Sequence, residues 1–184
     1  MAYINFDSTR LFDVIPFGRI AIDFNPVDYF KPWTECNTFK KYVGGSPANI
    51  AVGLSRLGKK VGFIGCVSDD QMGDYCVGYF EKEGIDTSHI VRARNGESLG
   101  LAFTEILDKD TSRLIMYRDN VADLKLEPAD VDESYIKAAK VLVVSGTALS
   151  ESPSREAALK AMTYARRNGT VVVFDIDYRA YTWK

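Results

Sequence analysis

Residues 44–73, GGSPANIAVGLSRLGKKVGFIGCVSDDQMG, hold a glycine pair, a helix and a strand in immediate succession, and their reading decides the fold. Gly44 and Gly45 lack a Cβ, so the backbone can turn sharply there and let a ligand approach main-chain N–H groups. Ser46 is placed to cap the following helix, and Pro47 fits its first position, where a missing N–H costs nothing. Ile50, Ala51, Leu54 and Leu57 recur at helical spacing up to Gly58, a residue suited to the left-handed position after a helix. Asn49 stands in the first turn, and its amide can both donate to and accept from hydroxyl groups, which suits a polyol. The plainer alternative is a strand, a glycine turn and a helix with no ligand. No Gly-Lys-Ser/Thr follows the glycines and no Gly-x-Gly-x-x-Gly opens the helix, so this is neither a P-loop nor a dinucleotide fingerprint.

Working outward, the same alternation recurs. Residues 60–65 (KVGFIG) read as a buried strand. Residues 71–83 form a helix with Met72, Tyr75, Cys76, Tyr79 and Phe80 on one face and Gly84 after its end. Val141 to Val144 is a continuous apolar strand closing in Ser145-Gly146-Thr147. Ser152-Pro153 reads as cap and first residue of a helix through Ala165, followed by Gly169. Thr170 to Phe174 is another buried strand, ending in Asp175-Ile176-Asp177-Tyr178-Arg179. Strand-helix alternation predicts an α/β fold with parallel pairing, in which ligand residues gather beyond the carboxyl ends of the strands. That location makes residues 145–147 and 175–179 site candidates.

Other segments interrupt the pattern. Val14 to Phe17 is a short strand whose Pro16 suggests an edge or an entry position, and Ile20 to Ile22 continues extended to Asp23. Asp23 and Asn25 can grip neighbouring hydroxyls; Asp-x-Asn-Pro is equally turn chemistry. Residues 26–43 are too irregular for a helix and read as short strands. Residues 98–107 and 111–118 form a hairpin around Asp108-Lys109-Asp110. Arg118 ends it, as a ligand fork or as a surface partner of Asp119. His89, the single histidine, reads as a surface residue in a polar loop.

With 184 residues, 46% of them hydrophobic, the chain can bury one sizeable core, and one domain is expected. A formal net charge of −2 with interspersed signs offers no basic stripe, so nucleic acid is not an expected partner. No stretch approaches the roughly 18 apolar residues needed to span a bilayer. Residues 1–10 do not read as a secretory leader, and Cys36, Cys66 and Cys76 are odd in number, so a cytoplasmic location with reduced thiols is expected.

GGSPANIAVGLSRLG, followed by Gly65, Asp69-Asp70 and Gly73, resembles the N-terminal signature of the ribokinase-like (phosphofructokinase-B) carbohydrate kinases. With FDIDYRAYTW, SGTALSESPSREA and EILDKDTSRLIMYRDNVADL, the resemblance covers nearly the whole chain and is strongest to a sugar-acid branch working in myo-inositol breakdown. Ala180 departs from an expected proline. The resemblance implies a ribokinase-like, Rossmann-type three-layer sandwich with a mostly parallel central sheet and a small β lid built from about residues 26–43 and 98–118. It implies ATP and Mg²⁺ as cofactors, and transfer of a phosphoryl group to the terminal hydroxyl of 5-dehydro-2-deoxy-D-gluconate. Asp23, Asn25, Gly44, Gly45, Ser46 and Asn49 would hold the sugar, Arg118 and Arg179 its carboxylate, and Asp175 would lie near phosphates and Mg²⁺. A homodimer through the lids is implied, in part because the Leu99, Leu101 and Phe103 face has no evident partner. The family's second signature, a glycine-rich anion hole with its aspartate base, has no counterpart here, so the C-terminal part of the fold is absent and the base is expected beyond Lys184. Alternatives are a kinase for 2-keto-3-deoxygluconate or fructose, and a non-catalytic sugar-binding or dimerisation module.

Overall fold

Alternation along a strand sends neighbouring side chains to opposite faces, and the strand after the glycine helix shows the result. Val61, Phe63 and Val67 join one apolar cluster, while Ile64 and Cys66 join another. In the computed structural model, which describes residues 6–183, these two clusters are the two sides of a central sheet. The elements in chain order are β1 (Phe12–Phe17), β2 (Ala21–Pro26), β3 (Phe39–Gly44), α1 (Ser46–Arg56), β4 (Gly62–Val67), α2 (Gln71–Lys82) and β5 (Asp86–Arg92). Then come β6 (Gly100–Ile106), β7 (Ser112–Tyr117), α3 (Glu133–Lys137), β8 (Ala139–Ser145), α4 (Ser154–Arg167) and β9 (Val171–Asp175).

The central sheet has the order β5-β4-β1-β8-β9, all pairs parallel. Ala48 and Ala51 of α1 and Cys76 and Phe80 of α2 pack on one face; Ala157, Ala158, Ala161 and Ala165 of α4 pack on the other. This is the expected three-layer α/β arrangement. A second sheet, β3-β2-β6-β7, stands apart from it. Its two outer pairs are antiparallel and its middle pair, β2 with β6, is parallel.

The helices end as their glycines require. Gly58, Gly84 and Gly169 have φ of +74°, +73° and +67°. After α1, the Gly58 and Lys59 N–H groups donate to the Ser55 and Leu54 carbonyls, a Schellman closure. The N-terminal signals are less faithful. The Ser152-Pro153 pair precedes α4 by one position more than expected, because the helix begins at Ser154 and Pro153 is its cap without a side-chain bond.

Five expectations change. Pro16 sits in the most central strand rather than at an edge. Asp13 and Val14 N–H donate to the Lys60 carbonyl and Gly18 N–H to that of Ile64, so the missing N–H of Pro16 falls between these bonds. Ile20 to Asp23 does not continue β1, since positive φ at Gly18 (+144°) redirects the chain and β2 enters the second sheet. Residues 26–43 supply one strand, β3, preceded by a short 3-10 turn, Trp33–Glu35. His89 lies in strand β5, stacked on Tyr135 with ring centroids 3.6 Å apart. Strand β9 is not buried on both faces: Val173 and Phe174 are each 47% exposed at the edge of the sheet.

Met72 is exposed, whereas the other expected residues of the α2 face, Tyr75, Cys76, Tyr79 and Phe80, pack into the cluster. The three cysteines are free. Burial pushes the Cys66 and Cys76 thiols up to about 12.

Candidate functional site

The reversal after β1 brings the second sheet over the amino end of α1, and the space between them is a cavity of about 560 Å³. Arg19, Asp23, Gly45, Ser46, Asn49, Thr104 and Arg179 supply its polar lining; Ile50, Ala102, Leu114, Met116 and Tyr181 supply the rest. The register explains the sheet's contribution. Asp23 pairs with Ala102 and Ala102 with Met116, while Thr104 pairs with Leu114, so alternate residues of three strands face one way.

Asp23 is the third residue of β2 rather than its end. Its carboxylate lies against Gly44, where any Cβ would collide with the carboxyl atoms, so Gly44 is needed for close approach rather than for its dihedral angles. Burial raises the Asp23 carboxyl above its ordinary range, and the Arg19 charge opposes that rise. Gly45 has φ of +102°, and a Cβ there would stand 2.6 Å from the Arg19 carbonyl oxygen, so glycine is required on both counts.

Ser46 does not cap α1, contrary to expectation. The cap is Gly45, without a side-chain bond, and the helix starts at Ser46 itself. The Ser46 hydroxyl instead donates to Asp175 Oδ2 at 2.7 Å, joining the start of α1 to the end of β9. Gly45, Ser46, Asn49 and Ile50 put the amino end of α1 on the cavity wall, a position that favours negative charge. Asn49 stands one turn in, and its main-chain N–H donates to the Gly45 carbonyl at 2.9 Å.

Beyond β8 and β9 the predicted strand-end residues form one network. Ser145 Oγ lies 2.8 Å from Thr147 Oγ1 and donates to Asp177 Oδ2 at 3.0 Å. Asp177 also pairs with Arg179 at 2.8 Å, and its N–H donates to Asp175 Oδ1 at 3.3 Å. Gly146 admits this tail, since a Cβ there would overlap the Ile176 carbonyl.

Two candidates stand off from the main cavity. Asn25 lines an adjoining space with Lys40, Lys41 and Tyr75, and its side-chain oxygen accepts from Thr104 Oγ1 at 2.8 Å. Arg118 lines a neighbouring cavity of about 360 Å³, sharing Met116 and Tyr181 with the main one. Its partner is not Asp119 but the buried Asp123, which accepts from both Nη1 (3.2 Å) and Nη2 (2.7 Å). Sequence reasoning missed Arg19. It carries no pattern of its own beyond following Gly18 at the end of an apolar strand, yet it is 7% exposed, and its Nε and Nη1 have no hydrogen-bond partner among the described residues.

Among the described residues no group of three His, Cys, Asp or Glu side chains is arranged to hold a metal ion. No helix among them is long and apolar enough to cross a membrane.

The profile of a family described as pfkB family carbohydrate kinase matches residues 12–184. A curated relative from Clostridium perfringens, named 5-dehydro-2-deoxygluconokinase, is 64% identical over the whole chain, which covers 54% of that protein. Among solved structures, a PfkB protein from Polaromonas sp. JS666 superposes with a TM-score of 0.85 at 31% identity, covering 94% of this chain and 58% of that one. A structure from E. coli reported as Ribokinase II in complex with ATP and Mg²⁺ superposes with a TM-score of 0.82 at 28% identity, over 92% of this chain and 54% of that one. The chain spans about half the length of the curated relatives it matches.

Proposed function

The chain belongs to the pfkB family of carbohydrate kinases, and from that premise we propose that it is the sugar-binding portion of one such kinase domain. The complete protein would transfer the terminal phosphoryl group of ATP to the terminal hydroxyl of 5-dehydro-2-deoxy-D-gluconate. One observation carries the reading: Asp23, Gly45, Ser46, Asn49 and Arg179, from separate parts of the chain, line a single cavity of sugar-binding size beside the amino end of α1. Asp23 and Asn49 are the natural hydroxyl partners, because an ionised carboxylate accepts twice and an amide both donates and accepts. Asn25 supports them through Thr104. Arg118 and Arg179 flank the acid end, and each already has an aspartate partner, so either would have to open that pair to hold a ligand directly.

ATP and Mg²⁺ are the cofactors of this reading. Asp175 stands where phosphates would approach, but it is tied to Ser46 and lacks the companion carboxylates of a metal site among the described residues. The residues present therefore do not by themselves fit the nucleotide and its metal, and no transfer step is assigned to them. The base that deprotonates the attacking hydroxyl belongs to the remaining half of the domain.

The complete protein is expected to release ADP with 5-dehydro-2-deoxygluconate at a kcat/KM at least tenfold above that with 2-keto-3-deoxygluconate or fructose. A coupled ADP assay over the three substrates checks this, and a clear preference for fructose would remove the sugar-acid reading.

The second sheet is the lid of this reading, and it also supports a homodimer, through the outer end of the face first expected. Leu99 is 3% exposed and Leu101 packs against the same cluster, so that end of the face is already covered. The open apolar surface is the Phe103 end of that face, an aromatic patch. Phe24 stacks on Phe103 at 4.8 Å, Trp33 and Tyr117 meet Phe103 edge-on, and Ile115, Tyr117, Tyr29 and Phe30 are exposed beside them. Such a patch marks an interaction surface. The complete protein is expected to have twice its chain mass by light scattering at micromolar concentration, and Tyr117→Asp to shift it toward monomer; a monomeric parent protein would remove the dimer.

A further inference from the structure

We propose that Arg19 is the residue that reads the ligand's carboxylate, and that it makes the cavity selective for a polyhydroxy acid over the matching neutral polyol. The inference deepens the sugar-acid reading above and rests on it for the identity of the site.

Three arginines reach the two neighbouring cavities, and their states differ. Arg118 is held by both oxygens of Asp123, and Arg179 by Asp177. Arg19 alone is buried without an ion pair among the described residues, and two of its three guanidinium nitrogens have nothing to donate to. A guanidinium stays charged in proteins and carries only donors, so burial without an acceptor is costly. A buried group left in that condition calls for an explanation, and a ligand anion supplies one. The Arg19 charge acts on the Asp23 carboxyl through space, and among the described residues no ion pair or hydrogen bond joins the two.

The surroundings suit a carboxylate at that spot. Gly45 lets the Arg19 main chain and side chain lie along the loop, since a Cβ at residue 45 would stand 2.6 Å from the Arg19 carbonyl and 3.5 Å from its Nε. The amino end of α1, which favours negative charge, opens on the same cavity. Asp23, by contrast, repels a second carboxylate and attracts hydroxyls. The cavity thus has an anion-receiving pole at Arg19 and a hydroxyl-receiving pole at Asp23, and a ligand with one carboxylate on a hydroxylated chain satisfies both.

The test compares gluconate with glucitol, which carry the same hydroxylated chain and differ in whether one end is a carboxylate. Calorimetry on the complete protein should find gluconate binding at least tenfold tighter. In Arg19→Gln that advantage should fall below threefold while glucitol affinity stays within twofold, and Arg19→Lys, which keeps the charge without the planar fork, should retain part of it. An equal loss for both ligands would make Arg19 structural, and persistence of the advantage in Arg19→Gln would assign the carboxylate elsewhere; both overturn the proposal. If Arg19→Gln does not fold, Arg19→Lys and the parent protein decide, and a parent that binds the two ligands equally overturns it as well. The kinase reading fails separately: loss of gluconate selectivity in Arg19→Gln together with no ADP release by the parent protein on any sugar acid would leave the Arg19 assignment standing and remove the reaction.

Discussion

In the complete protein, Asp23→Asn is expected to lower kcat/KM about 100-fold and, at the same time, to raise the midpoint of thermal unfolding. The two effects have one cause. Burial lifts the Asp23 carboxyl above its ordinary value of 3.8, and the Arg19 charge only partly opposes this. A carboxyl whose folded value is raised helps the folded state below its unfolded value and loses that help as pH climbs through the folded value, so at neutral pH the ionised group is a cost to folding. Asparagine has the same shape and no charge, which relieves that cost. A charge-assisted hydrogen bond contributes about 1.5–3 kcal/mol, and one or two such bonds to hydroxyls correspond to roughly 10- to 30,000-fold at 1.36 kcal/mol per decade. The stability gain should be full near pH 7 and vanish toward pH 3.8. Unfolding curves across that range, beside steady-state kinetics, check both halves; an Asp23→Asn protein with full activity would remove Asp23 from the site, and one destabilised at pH 7 would contradict the buried-charge argument.

Residues 1–184 purified alone are expected to release ADP at less than a thousandth of the rate of the complete protein, even where they bind a sugar. Phosphoryl transfer depends on positioning and on neutralising charge, so it needs the nucleotide phosphates, a metal ion and a base held around one hydroxyl. The described residues gather one side of that assembly, with no three-residue metal cluster among them. Val173 and Phe174 on β9 are half-exposed at the sheet's edge and should make the isolated piece prone to associate. A coupled ADP assay on the two proteins, side by side, measures the ratio. Comparable turnover would mean that a nucleotide site is built from residues assigned here to the sugar or to the sheet.

The sequence by itself determined the elements whose cause is local. Gly58, Gly84 and Gly169 end three helices in left-handed geometry because no other residue adopts it at so little cost, and the apolar runs of β4 and β8 announced strands buried on both faces. The glycine pair, Asn49 and the residues beyond β8 and β9 were legible as site candidates for the same reason, since strand ends and helix starts are where a parallel sheet exposes polar groups. The tertiary structure decided what depends on partners distant in sequence. Pro16 lies in a central strand, its missing N–H falling between bonds to Lys60 and Ile64, which no inspection of residues 12–17 reveals. Ser46 was read as a cap because its own neighbours suggested one, and it bonds instead to Asp175, 129 positions away. Arg118 exchanged an exposed neighbour, Asp119, for the buried Asp123, and Leu99 found cover in a cluster built from α1, α2 and β4. Arg19 shows the limit most sharply. An arginine after a strand looks like any surface cation in sequence, and only the folded neighbourhood, with the Gly45 loop against it, leaves it buried with its Nε and Nη1 unpartnered among the described residues, because desolvation is a property of the assembled neighbours and not of the residue.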